Sequence, residues 1–209
     1  CKEALLGEEV YAVFGETFPL LFKFIDADQD LSVQLHPYDA LAKERHNSFG
    51  KTEMWYIIDA EEDAELILGF KENVNLESYL QHLSDKNLAD ILDFVKVKQD
   101  DAFIVNSGTV HAIGKGVFLA EIQQASDITY RIYDWDRMGV DGNPRELHTD
   151  WAIDAIDFEA TDFKLNYKDE LNTSVPLCST KYFEVNKLLV NKEISKDISH
   201  IKSFMVYMC

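Results

Sequence analysis

The stretch Leu31-Ser32-Val33-Gln34-Leu35-His36-Pro37 alternates apolar and polar side chains and then meets a proline. Successive side chains of a strand point to opposite faces, so Leu31, Val33 and Leu35 share one face and Ser32, Gln34 and His36 the other. Pro37 holds His36 extended and ends the strand. On a strand only residues two apart can converge on one ion, and Gln34 and His36 meet that condition. Two later segments extend the set: Gly50-Lys51-Thr52-Glu53-Met54-Trp55 and Ser107-Gly108-Thr109-Val110-His111. Gln34, His36, Glu53 and His111 are therefore the candidate ligands of one divalent metal, a nitrogen and oxygen set of the kind zinc accepts in catalysis with a position left for water or substrate. For either histidine taken singly, the commoner role is that of a hydrogen-bonded strand residue. Glu53 either faces solvent or, if interior beside Trp55, must be paired or metal-bound to offset the cost of burying its charge.

Outward from this stretch, the pattern is strand-rich. Residues 19–27 (PLLFKFIDA) form an apolar run closed by the polar turn Asp26-Ala27-Asp28-Gln29-Asp30. Strands are expected at 54–59 with Glu53 at the head, and at 65–70, 102–105, 117–124, 128–135, 182–190 and 203–209. Helical spacing of Leu76, Leu80, Leu83, Leu88, Ile91, Leu92 and Val95 predicts a helical insertion over 75–97. A helical turn is expected within 38–46, and a short helix at 149–156 with Thr149 as its cap. Asn106-Ser107-Gly108-Thr109 is a tight turn that delivers His111 just beyond it. Short strands at regular spacing with Gly and Asp turns predict an antiparallel barrel or jelly roll. The organisation expected is a catalytic domain over 1–156, a polar connector over 157–181 and the beginning of a second, incomplete β module over 182–209. Residues 1–18 read as the end of a helix and a loop. They carry no initiator Met and are not expected to be a natural start.

With 209 residues, 46% of them hydrophobic, the chain can bury a substantial core. Its 20 basic against 38 acidic residues give a net charge of −18, which opposes binding to nucleic acid and to anionic lipid. No apolar run approaches the roughly 20 residues needed to cross a bilayer. The three cysteines, Cys1, Cys178 and Cys209, are scattered and suggest no disulfide framework, so a reducing cytoplasm is the expected location.

A protein this acidic that handles an anion must gather its few cations locally, which draws notice to Lys51, Lys115 and Arg131. Each has an ordinary alternative as a solvated charge or an ion-pair partner, and for Lys115 that alternative is preferred. Glu121 is either a candidate acid or base lining the barrel, or a partner of Arg131. His46, His82, His148 and His200 receive no role.

The segments QLHPYD (34–39), GKTEMWYIID (50–59), NSGTVHAIGKG (106–116) and AEIQQASDITYRIYDWDR (120–137), in this order and spacing, resemble the type I mannose-6-phosphate isomerases, the short bacterial form in particular. The likeness runs from about Thr17 to Leu147. It implies a mainly β, cupin-type jelly-roll barrel with a small helical insertion and the start of a second cupin-like module. It also implies one zinc ion per chain and a phosphorylated hexose substrate, mannose 6-phosphate being interconverted with fructose 6-phosphate through an enediol. The resemblance places the metal ligands on Gln34, His36, Glu53 and His111, and the catalytic arginine on Arg131. Lys51, Glu121 and Asp127 join the pocket by position. Two departures concern the turn before the last histidine, where Asp100 and Asn106 stand in place of a glycine and a proline; both bear on turn stiffness and not on ligands. Two other classes share such a barrel, a sugar-binding cupin without turnover and an iron-dependent oxygenase, the latter tending to a histidine-rich site.

Overall fold

Alternation in 31–36 gives way to a short strand whose polar side faces inward. The computed structural model describes residues 2–139, 141–160 and 162–209. In chain order its elements are α1 (Lys2–Leu6), α2 (Glu8–Phe14), β1 (Leu20–Asp26), β2 (Val33–Leu35), α3 (Asp39–His46), β3 (Glu53–Ala60), β4 (Glu65–Phe70) and α4 (Leu76–Ser84). A 3-10 turn (Leu88–Ile91) follows, then β5 (Leu92–Lys96), β6 (Ala102–Val105), β7 (His111–Ile113), β8 (Val117–Gln124), β9 (Tyr130–Tyr133), α5 (Thr149–Ile153), β10 (Ser174–Ser179) and β11 (Glu184–Leu188).

The chain divides into two compact units, residues 22–166 and residues 1–21 with 167–209. In the larger, one sheet has the order β1-β8-β3-β6 and the other β5-β4-β7-β2-β9. Strands β1 to β8 thus run 1-8-3-6 in one sheet and 2-7-4-5 in the other, the double Greek key of a jelly roll, with β9 added beside β2. The fold is mainly β with antiparallel sheets, as the sequence pattern implied. In the smaller unit β10 and β11 pair antiparallel, and the rings of Phe18 and Phe204 stack obliquely at 4.5 Å.

Two apolar clusters hold the larger unit. Between the sheets lie Trp55, Ile57, Phe103 and Leu119 from one and Leu66, Leu68 and Ile113 from the other. Behind the second sheet, Val33, Leu35, Ala112, Tyr130 and Ile132 pack against Leu41 of α3, Tyr79 of α4 and Ala152 of α5. Each fully buried large side chain contributes roughly 1.5–3 kcal/mol. The second sheet is therefore covered by helices on its outer face, where Val33 and Leu35 point, and Gln34 is left to face the barrel interior. Leu31 packs with the inter-sheet cluster instead, so the strict alternation begins only after it.

Local signals explain the helices. Asn75 accepts from the Ser78 backbone N–H while the Ser78 hydroxyl accepts from that of Asn75, a reciprocal capping box that starts α4. Pro37 precedes α3, and Asn47 in the left-handed region (φ 51°) ends it. Other expectations need correction. Residues 92–96 are not helical: β5 pairs along β4, Leu66 opposite Val95 and Ile67 opposite Phe94. Ser174–Ser179 is a strand within the stretch read as connector, residues 203–209 form no strand, and His148, not Thr149, occupies the position before α5.

Candidate metal centre

Register brings the site together. Gln34 on β2 lies directly opposite His111, the first residue of β7. His36 follows two residues on, just past the end of β2, and its carbonyl accepts from the Gly108 N–H at 2.8 Å. Gly108 takes φ 89°, and a Cβ there would stand 2.8 Å from the Ala155 carbonyl oxygen. Only glycine suits a turn in that left-handed conformation and this close to another backbone. From the other sheet β3 supplies Glu53 and, on the same face, Trp55; Trp55 lies opposite Glu121 and Glu53 opposite Gln123 on β8.

His36, Glu53 and His111 are each about 1% exposed, and their ligating atoms lie within 4.8 Å of one another. His36 Nδ1 sits 2.9 Å from the Ile128 carbonyl oxygen and His111 Nδ1 2.9 Å from that of Thr109. A carbonyl can only accept, so each ring donates through Nδ1 and keeps its lone pair on Nε2. The 3.2 Å approach of His36 Nε2 to Glu53 Oε1 is then lone pair to lone pair. Both Nε2 atoms and Glu53 Oε1 are buried without a hydrogen-bond partner. Buried acceptors aimed at one another are costly, and a divalent cation satisfies all three at once, so these residues fit a metal.

Charge follows the same logic. Burial lowers the pKa of His36, against the pull of Glu53. Burial, joined by His36, pushes His111 down to about 3. Both rings are thereby kept neutral and able to ligate. Burial works against the charge on Glu53, but neighbouring positive charge holds its carboxyl below the usual range, and with both rings neutral the cation that remains is Lys51. Lys51 is itself buried, its Nζ 3.2 Å from Glu53 Oε1. Glu121 is shifted the other way, upward, by burial and by the charge of Glu53, with Lys23 opposing.

A cavity of about 100 Å³ adjoins these groups, lined by Gln34, Lys51, Trp55, His111, Glu121 and Lys23 among others. Lys23 on β1 was missed in the sequence. Its Nζ donates to Glu121 Oε1 and to Gln123 Oε1, each at 2.6 Å. The available signal was a single charge inside the apolar run 20–25. Arg131 on β9 is opposite Gln34 but outside the cavity lining. Its Nε donates to Ser32 Oγ at 3.3 Å and its Nη1 to the Glu146 carbonyl at 2.9 Å, and Ser32 Oγ in turn approaches Gln34 Oε1 at 3.5 Å. Asp127 is exposed in the loop after β8 and does not line the cavity.

Beyond Arg131 the cations continue. The buried Asp134 carboxylate accepts from Arg137 Nη2 and from Arg145 Nε, both at 2.7 Å. Burial would raise its pKa, but the two guanidinium groups outweigh burial and hold it low. A carboxyl depressed in the folded state contributes stability above its unfolded pKa near 3.8 and loses it as pH falls through the folded value. Asp134→Asn is expected to cost about 2 kcal/mol at neutral pH, discounted for the part-exposed arginines. It should also flatten the decline in stability below about pH 4. Urea titrations at several pH values check both effects, and a parallel decline in the two proteins would contradict the assignment.

A jelly roll whose interior carries a buried His–Glu–His set beside a cavity with two lysines is a barrel protein with a candidate metal site. Comparison with known proteins shows what this chain is similar to. The family model described as "Phosphomannose isomerase type I, catalytic domain" matches residues 2–82. Mannose-6-phosphate isomerase ManA of Bacillus subtilis (strain 168) is 46% identical over 180 residues, 83% of this chain and 56% of that protein. The crystal structure of the mannose 6-phosphate isomerase from Bacillus subtilis superposes with a TM-score of 0.76 at 36% identity, covering 86% of this chain and 59% of that one. A mannose 6-phosphate isomerase structure bound with zinc and yttrium shares the fold, with a TM-score of 0.60 at 17% identity over 85% of this chain and 64% of that one. The chain is a homologue of the type I mannose-6-phosphate isomerases, and it spans a little over half the length of the relatives it matches.

Proposed function

We propose that this chain carries the centre of a zinc-dependent aldose-ketose isomerase that interconverts mannose 6-phosphate and fructose 6-phosphate. The observation that supports this best is the convergence of His36 Nε2, His111 Nε2 and Glu53 Oε1, buried and without a hydrogen-bond partner, beside a cavity lined by His111 together with Gln34, Lys23, Lys51 and Glu121. Gln34 completes the ligand set through its side-chain carbonyl, one zinc per chain. Zinc, when bound, polarises the sugar oxygens and stabilises the negative charge that builds on them.

The remaining work falls to the residues. Glu121, buried and raised in pKa, takes the C2 proton of the open-chain aldose and returns it to C1. Lys23 orients that carboxylate through Oε1. Lys51 places a fixed positive charge beside Glu53 at the reacting end. Arg131, tied to Ser32 at the border of the site, meets the substrate's anionic groups with a rigid planar fork. Asp127, exposed and off the cavity, is a weaker choice for the proton transfer. The same reading sets aside nucleic acid and anionic membranes as partners because of the charge of −18, and places the protein in the cytoplasm. No helix among the described residues is long and apolar enough to cross a membrane.

Incubation of the purified, zinc-loaded protein with mannose 6-phosphate is expected to yield fructose 6-phosphate, detected by a coupled assay. A chelator should abolish the signal and added zinc restore it. Zinc-loaded protein that makes no fructose 6-phosphate overturns the proposal.

A further inference from the structure

Trp55 is 1% exposed, yet its single indole N–H points at charge. Nε1 lies 3.0 Å from Glu53 Oε2 and 3.1 Å from Glu121 Oε2, so one donor is shared between two carboxylates. Each carboxylate's other oxygen faces a lysine, Glu53 Oε1 with Lys51 at 3.2 Å and Glu121 Oε1 with Lys23 at 2.6 Å. The five side chains form one line: lysine, carboxylate, indole, carboxylate, lysine. The backbone makes this line possible, because Trp55 is two residues from Glu53 on one strand face and directly opposite Glu121 on the next strand. Two negative side chains in one buried cavity repel each other, and a shared neutral donor fixes their separation without adding charge.

We infer that Trp55 is a positioning residue for the metal centre: its N–H engages Glu53 Oε2, leaves Oε1 turned toward His36 and Lys51, and sets Glu121 at a fixed distance from the metal ligand. The inference rests on the zinc reading above. Oε1 is the Glu53 oxygen left without a hydrogen-bond partner, in keeping with this division of labour. The ring of Trp55 also meets His111 edge-on, centroids 5.4 Å apart at 80°, so packing and hydrogen bonding by the same side chain are separable by substitution. A donor to a ligating carboxylate belongs to the outer shell of a metal site, where loss costs about 10- to 100-fold in metal affinity.

Trp55→Phe keeps an aromatic ring and removes the N–H. In competition with a chromophoric chelator, the zinc Kd of the variant is expected to rise about 10- to 100-fold. The absorption spectrum of the cobalt-substituted variant should also differ from that of the unsubstituted chain, a change that packing alone would not produce. A Kd within about threefold together with an unchanged cobalt spectrum overturns the inference while leaving the zinc reading intact. Failure of the unsubstituted chain to bind zinc overturns both. Should Trp55→Phe not fold, the indole ¹⁵N–¹H signal of Trp55 in the intact chain decides: it is expected to shift when zinc is added, and a signal that does not move refutes the role.

Discussion

Glu53→Gln is expected to weaken zinc binding on the order of 10²-fold and to weaken the fold at the same time. The substitution conserves volume and leaves a carbonyl oxygen for the Trp55 N–H, so it removes charge and little else. If the roughly 10–16 kcal/mol of a structural zinc site is shared among four donors, one ligand accounts for about 3 kcal/mol, on the order of a 10²-fold loss of affinity. The second effect falls on Lys51. Its side chain is 7% exposed and its Nζ is 3.2 Å from Glu53 Oε1. Removing one partner of a buried pair leaves the other uncompensated, at a cost of about 3–5 kcal/mol. Lys51→Met in the Glu53→Gln background should therefore recover much of the stability but none of the lost zinc affinity. Metal content by mass spectrometry and urea unfolding of the three proteins separate the two effects. Unaltered zinc affinity in Glu53→Gln would remove Glu53 from the ligand set.

Arg131→Ala should do the opposite, sparing the metal and lowering turnover. The guanidinium is held by Ser32 Oγ and the Glu146 carbonyl, none of its partners being His36, Glu53 or His111. A donor aimed at developing negative charge is worth about 10²–10³ in rate, so kcat/KM for mannose 6-phosphate should fall by that factor with zinc content unchanged. Arg131→Lys should recover little, because an ammonium cannot reproduce the planar fork that spans Ser32 and Glu146. Steady-state kinetics beside metal analysis test this. Wild-type kcat/KM in Arg131→Ala would exclude the arginine from catalysis.

The site was legible where its residues obey a short-range rule. Gln34 and His36 are two apart on a pattern that repeats every two residues, and in the structure each lies against His111, Gln34 opposite it across the sheet and the His36 ring 4.8 Å from its ring. Which of the two faces of that strand looks into the barrel was not legible. Val33 and Leu35 are apolar, yet they point away from the barrel, because α3, α4 and α5 cover the outer side of their sheet. Lys23 and Trp55 escaped for a related reason. Within apolar strands both read as interior filling, and only the pairing of Trp55 with Glu121 across β3 and β8 turns an indole N–H into a contact between two carboxylates. The residues of β5 misled in the other direction. Leu88, Ile91, Leu92 and Val95 keep helical spacing, but the pairing that makes 92–96 a strand comes from β4, more than 20 residues earlier. At Asp100 the departure noted in the sequence has a conformational counterpart: it takes φ 69°, the left-handed region where glycine is at ease, and its carboxylate accepts from the Tyr56 hydroxyl.

The candidate ligands come from both sheets: Glu53 from β3 on one side, His111 from β7 and His36 beside β2 on the other. An ion held there is also a cross-brace. It would tie the two walls of the barrel at a place where polar side chains replace the apolar packing found elsewhere between them, and so act as a structural rivet as well as a cofactor. Metal occupancy and the closure of the barrel would then be a single equilibrium, with the same three side chains resisting the parting of the sheets.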